Sequence, residues 1–226
     1  MSIISMLVYL VIIMAIPLMA QAKVKRAFKK YSKISNSSGM TGAEVARKIL
    51  HENGIFDVGV EPVKGQLSDH YDPRKKTVRL SEDNYYGTSV AGQAVASHEV
   101  GHAIQDAQDY AFLKFRSALA PAASTGSNLS FIFIIAGVLL SISNLLLVGI
   151  VFMSAAVLFQ LITLPVEFNA SSRAMDQIVS TGIIRSNEEK ETKKVLNAAA
   201  LTYVAAALVA LLELGRFIAM YFFMDE

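Results

Sequence analysis

Between residues 117 and 166 the chain runs for 50 residues without one charged side chain. As α-helix that stretch rises about 75 Å, more than twice the roughly 30 Å hydrocarbon core of a bilayer. A run of that length has to fold back, and the polar break Ser141-Ile142-Ser143-Asn144 supplies the turn. Spans are therefore expected at 126–142 and 145–164. Two more uncharged runs of 18 residues, 3–20 and 195–212, bring the expected number of transmembrane helices to four. Only 18% of residues are charged and 53% are hydrophobic. That balance excludes a disordered chain, and the net charge of +2 gives no reason to expect a nucleic-acid partner.

The charges left over set the orientation. Of the 21 lysines and arginines, 15 lie between residues 23 and 116 and five between 173 and 194. With four spans these two segments share one side of the membrane, and the positive-inside rule makes that side cytoplasmic, with both termini outside. Residues 1–22 resemble a signal peptide only in Ala20-Gln21-Ala22. No basic side chain precedes the apolar run and six basic ones follow it between 23 and 33, so a retained anchor is expected. The resulting plan is an anchor helix at 1–22, a cytoplasmic catalytic region at 23–125 and a helical hairpin at 126–164. A second cytoplasmic segment follows at 165–194, and a last span at 195–226.

The larger polar segment reads as mixed α and β. Thr41-Gly42-Ala43-Glu44 has the form of a capping box, and Gly54 suits the end of the helix it would start. Residues 57–63 and 76–81 alternate apolar and polar side chains as strands do, with a turn at Asp72-Pro73-Arg74 between them. The charges on the second strand suit an exposed sheet edge, so Thr77, Val78, Arg79 and Leu80 are expected to pair with an extended substrate. Helical patterning returns at 89–109. The mixed charges at 186–194 suggest a solvated helix start.

On the helix at 89–109 stands Ser97-His98-Glu99-Val100-Gly101-His102. The i, i+4 spacing puts both imidazoles on one face, where they can grip a single Zn²⁺, and Glu99 projects about 100° around the helix, within reach of a water that the zinc activates. With 4 His and 11 Glu in the chain, chance would produce this motif roughly 0.003 times, so a pair of bland surface histidines is the weaker reading. The chain has no cysteine, so a third ligand has to come from a carboxylate or another histidine. Asp106 continues the histidine face, but three ligands along one straight helix spread over about 12 Å, too far for one ion. Glu167 is the better candidate, as the first charge after the 50-residue uncharged stretch; the alternative for it is an interfacial carboxylate without a metal.

The stretches Asp69-His70-Tyr71-Asp72-Pro73, Val78-Arg79-Leu80-Ser81, Ala94 through Gln105 around the double-histidine motif, and Val166-Glu167-Phe168-Asn169-Ala170-Ser171 resemble the YugP-like family of bacterial membrane zinc metallopeptidases. More distantly the chain is similar to the HtpX and CAAX prenyl membrane proteases. The resemblance implies a mainly α integral membrane protein with a small zincin-like α+β catalytic domain and one Zn²⁺ per chain. It implies His98, His102 and Glu167 as metal ligands and Glu99 as general base. The distant relatives carry an aspartate four residues after the glutamate ligand, orienting a histidine; here that position is Ser171, and Asp106 or Asn169 is expected to take over.

Other residues have less specific expectations. His70 could contribute to an oxyanion site or tie down the Pro73 turn, and Arg173 could steady a transition state or face headgroups. Glu213 and Arg216 are expected to pair on the last span. Tyr85, Tyr86 and His51 read as packing or surface residues. The expected function is a membrane-embedded zinc endopeptidase that cleaves membrane or membrane-associated proteins with zinc-activated water. Its partners would be the lipid bilayer and a protein or peptide substrate. The competing class is a non-proteolytic zinc-containing membrane scaffold.

Overall fold

The structure is a computed structural model and describes residues 3–224. It is mainly helical. The elements run α1 (Ile3–Tyr31), α2 (Gly42–Glu52), β1 (Gly59–Val63), β2 (His70–Asp72), β3 (Thr77–Ser81), α3 (Glu82–Tyr86), α4 (Val90–Ala107), α5 (Ala111–Leu140), α6 (Ser143–Ser180) and α7 (Ser186–Met224). Two compact units emerge. Of the described residues, one comprises 3–18, Ala111–Pro165 and 203–224; the other comprises Met19–Tyr110 and Val166–Thr202.

Among the described residues, α1, α5, α6 and α7 are the four helices long and apolar enough to cross a membrane, and the first unit holds α5 with parts of the other three. The expected turn falls at Ser141 and Ile142, between α5 and α6. The helices nevertheless outrun the expected spans: α5 begins at Ala111 and α6 continues to Ser180. A charge marks where hydrocarbon must stop, but a helix continues until something stops it. For α6 the stop comes at Gly182, whose φ of 66° is left-handed. Ile134, Leu146 and Ile150 form the buried core of this unit. Glu213 and Arg216 form the expected pair at 2.6 Å, and the Tyr9 hydroxyl donates to the other Glu213 oxygen at 2.7 Å.

The second unit contains a three-stranded sheet in the order β1-β3-β2. Strand β3 pairs with β1 in parallel and with β2 antiparallel, so Thr77, Val78, Arg79 and Leu80 lie on the central strand. This corrects the edge-strand expectation: both edges of β3 are taken, and no substrate can pair there. The charge read as an edge guard is a cross-strand tether. Arg79 reaches Glu61 on β1 at 3.5 Å and Asp72 on β2 at 3.2 Å.

The core of this unit joins Val45, Ile49 and Leu50 of α2 to Val78 and Leu80 of β3, Val100 and Ile104 of α4, and Ile178 of α6. Helix α2 starts with the expected capping box: the Thr41 hydroxyl accepts from the Glu44 amide and the Glu44 carboxylate accepts from Thr41 N–H. The start of α7 departs from expectation. Glu188 is buried, and its carboxylate accepts from Ser37 N–H, Ser37 Oγ and Arg185 N–H, so the mixed-charge stretch is partly anchored rather than freely solvated.

Candidate metal centre

Helix α4 is capped by Ser89, whose side chain accepts from the Gly92 amide, and it carries the double-histidine motif near its middle. The helix packs tightly on α6. A Cβ at Gly101 would stand only 2.5 Å from the Ala170 carbonyl oxygen, so the absence of a side chain at 101 permits the approach. That approach brings the start of the second polar segment to the histidine face.

The result is a cluster of His98, His102 and Glu167, whose ligand atoms all lie within 4.8 Å of one another. Glu167 Oε2 lies 3.2 Å from His98 Nε2 and 3.6 Å from His102 Nε2. Tetrahedral zinc with bonds of about 2.0–2.1 Å separates its donors by roughly 3.3 Å, so the spacing and the N, N, O donor set fit that ion. Among the described residues no fourth His, Asp or Glu joins the group. Glu167 is only 2% exposed. Burial by itself would raise its pKa, but hydrogen bonds and charge from His102 and His98 outweigh it and hold the carboxyl well below the usual range.

The nitrogens facing away from Glu167 are also occupied. Ser171 Oγ lies 3.1 Å from His98 Nδ1, and Gln105 Oε1 lies 3.0 Å from His102 Nδ1. Gln105, rather than the expected Asp106 or Asn169, is the partner of His102. The available signal was its i+3 position from His102, which places it on the same helix face.

Glu99 is 8% exposed. Burial pushes its pKa up to about 7, the Glu167 and Asp69 charges add to this, and His98 and the Tyr71 backbone N–H oppose it. A carboxyl poised there suits a group that takes and returns a proton near neutral pH. Strand β2 is thus placed against α4 from two sides, because the Tyr71 hydroxyl also donates to Asp106 at 2.8 Å. Lys76 completes that clamp at 2.9 Å from the same Asp106 oxygen.

Several expectations are redirected. Asp106 orients no histidine, since its carboxylate holds Tyr71 and Lys76. His70 lies exposed on β2, with Nδ1 2.8 Å from the Ser68 carbonyl and Nε2 3.5 Å from Arg79, outside the metal-binding group. Arg173 donates through Nε to Asn169 at 2.7 Å and through Nη1 to Gln108 at 2.5 Å, so its fork is turned to protein partners. Asn169 bonds no histidine directly; it accepts from Gln105 and Arg173. Tyr85 packs on the core, where its hydroxyl meets Arg47 at 2.7 Å.

Residues 6–222 match the model of the family described as "Putative neutral zinc metallopeptidase". The chain is 57% identical over 202 residues to the "Putative membrane protease YugP" of Bacillus subtilis (strain 168), covering 89% of this chain and 90% of that protein. No solved structure matches it.

Proposed function

Because this chain belongs to the neutral zinc metallopeptidase family, we propose that it is a membrane-embedded zinc endopeptidase, with Glu99 as general base and His98, His102 and Glu167 as the metal ligands. The observation that carries the reading is the convergence of two imidazole Nε2 atoms and one buried carboxylate, with Glu99 one residue from His98 on the same helix. A zinc ion held by these three residues would supply Lewis-acid polarisation of a scissile carbonyl and of the attacking water. Glu99 takes a proton from that water and hands it to the departing amine, so one carboxylate serves as base and then as acid. The Tyr71 N–H steadies the ionised form of Glu99, and the β2–α4 clamp through Asp106 holds that N–H in place.

A structural zinc site is closed by four ligands, whereas three described residues meet here, leaving a position for water and substrate. This favours the enzyme over the scaffold. The relative's name as a membrane protease, together with four apolar helices, supports protein substrates in or at the membrane. The lysine and arginine count supports a cytoplasmic active site. The test is to purify the full chain in detergent, measure bound metal, and follow cleavage of an unfolded model protein with and without a chelator. One zinc per chain and chelator-sensitive cleavage are expected. A metal-free protein that takes up no added zinc would overturn the reading.

A further inference from the structure

His98 and His102 both turn Nε2 towards Glu167, yet their Nδ1 partners differ in kind. A serine hydroxyl donates or accepts equally well, so Ser171 leaves the tautomer of His98 unset. The partner of His102 has no such freedom. The Gln105 amide, completely buried, makes three contacts: to His102 Nδ1 at 3.0 Å, to the Val166 carbonyl at 2.8 Å and to Asn169 at 2.9 Å.

The polarity of this chain of contacts is forced from both ends. The Val166 oxygen is a peptide carbonyl and can only accept, so the Gln105 atom facing it is the NH₂ group. At the far end Arg173 Nε can only donate, so the Asn169 atom facing it is the carbonyl oxygen. That same oxygen meets Gln105, which again requires the NH₂ group there. Both of its hydrogens are then spent, and the oxygen is left pointing at His102. An amide oxygen accepts only, so Nδ1 of His102 carries the proton and Nε2 keeps its lone pair. Neither amide can be flipped without placing oxygen against oxygen at Val166 or nitrogen against nitrogen at Arg173.

We propose that the Val166 carbonyl and Arg173, acting through Asn169 and Gln105, lock His102 as the Nδ1–H tautomer and so hold its Nε2 lone pair towards the metal position. Gln105, Asn169 and Arg173 are then positioning residues, and the neutral amide does for His102 what a carboxylate commonly does for a zinc-bound histidine. Rigidity is supplied on the His102 side, while His98 remains free to adjust through a hydroxyl. The functional consequence rests on the zinc-peptidase reading, but the tautomer itself does not.

The experiment uses the full chain, labelled with ¹⁵N-histidine, in detergent. Spectra of the metal-free protein at alkaline pH report which ring nitrogen of His102 bears hydrogen, with the resonance assigned by its loss in His102→Gln. A protonated Nδ1 and a bare Nε2 are expected, and a protonated Nε2 would overturn the proposal whether or not zinc binds. Zinc affinity is then measured by competition with a chromophoric chelator. Gln105→Met should bind about 10–100-fold more weakly. Asn169→Asp should stay within about threefold of wild type, because a carboxylate oxygen accepts both bonds that Asn169 accepts. Wild-type affinity in Gln105→Met would refute the lock. If wild type takes up no zinc while His102 is Nδ1–H, the peptidase reading fails and the lock stands.

Discussion

Replacing Gly101 by alanine separates two effects that usually travel together. An added Cβ would stand 2.5 Å from the Ala170 oxygen, 3.1 Å from its carbonyl carbon and 3.2 Å from its Cα, all of them backbone atoms that no rotamer change can move. Ordinary contact begins at 3.4 Å, so α4 and α6 have to part by about 0.9 Å. Alanine gains about 1 kcal/mol over glycine in a helix interior, whereas overpacking costs about 1–3 kcal/mol, so the net loss of stability is about 0–2 kcal/mol. The metal site is far less forgiving, because ligand distances hold only within about 0.2 Å. Glu167 sits on α6 just before Ala170, and its displacement from His98 and His102 exceeds that tolerance several-fold. Gly101→Ala should therefore fold and insert normally but lose zinc. Chelator competition on the purified variant, paired with its melting temperature, measures both quantities. A Gly101→Ala protein binding zinc with wild-type affinity would refute the claim that close packing of α4 on α6 builds the site.

Glu167→Ala should lose stoichiometric zinc on dialysis, and Glu167→Asp should retain part of it, since its carboxylate reaches about one methylene less far towards an ion needing oxygen at about 2.0–2.2 Å. Added zinc should stabilise wild type by about 2.7 kcal/mol at 100 times the dissociation constant, read as a higher melting temperature, and leave Glu167→Ala unmoved; an equal shift in both would show binding elsewhere. Thr41→Ala removes the α2 capping box and should cost about 1 kcal/mol in thermal or denaturant unfolding while leaving zinc affinity unchanged. Cysteines introduced at the exposed positions Lys64 and Ser186 should both be labelled from the cytoplasmic side, and labelling of either from outside would break the four-span topology.

The parts legible in the sequence are those governed by local rules. The 50-residue uncharged stretch forces a hairpin, Thr41 and Glu44 declare a cap, and the histidine spacing is a property of one helix turn. Glu167 is 65 residues from His102, and only the return of the hairpin to its starting side made it a candidate. Strand order was not legible. Because β3 follows β1 and β2 in sequence yet lies between them in the sheet, its alternation carries no mark of whether it is central or at an edge, and Arg79 reads as a guard although Glu61 and Asp72 flank it. Gln105 escaped because its role depends on the Val166 carbonyl, a backbone group invisible in sequence, and on a contact with Asn169 that is 64 residues distant. Asp106, read as a histidine partner, is claimed by Tyr71, whose reach across from β2 is likewise non-local.

Under the proposed function Glu99 moves protons for a zinc-dependent peptide hydrolysis while His98, His102 and Glu167 hold the ion. Glu99→Gln keeps the size of the side chain and an oxygen that can accept from the Tyr71 N–H, and removes its charge and its basicity. Purified in parallel with wild type, this variant should hold the same one zinc per chain and the same affinity, with cleavage of a model protein reduced by at least the 10²–10⁴-fold typical of a lost general base. Cleavage within a few-fold of wild type, or loss of zinc together with cleavage, would contradict that division of labour.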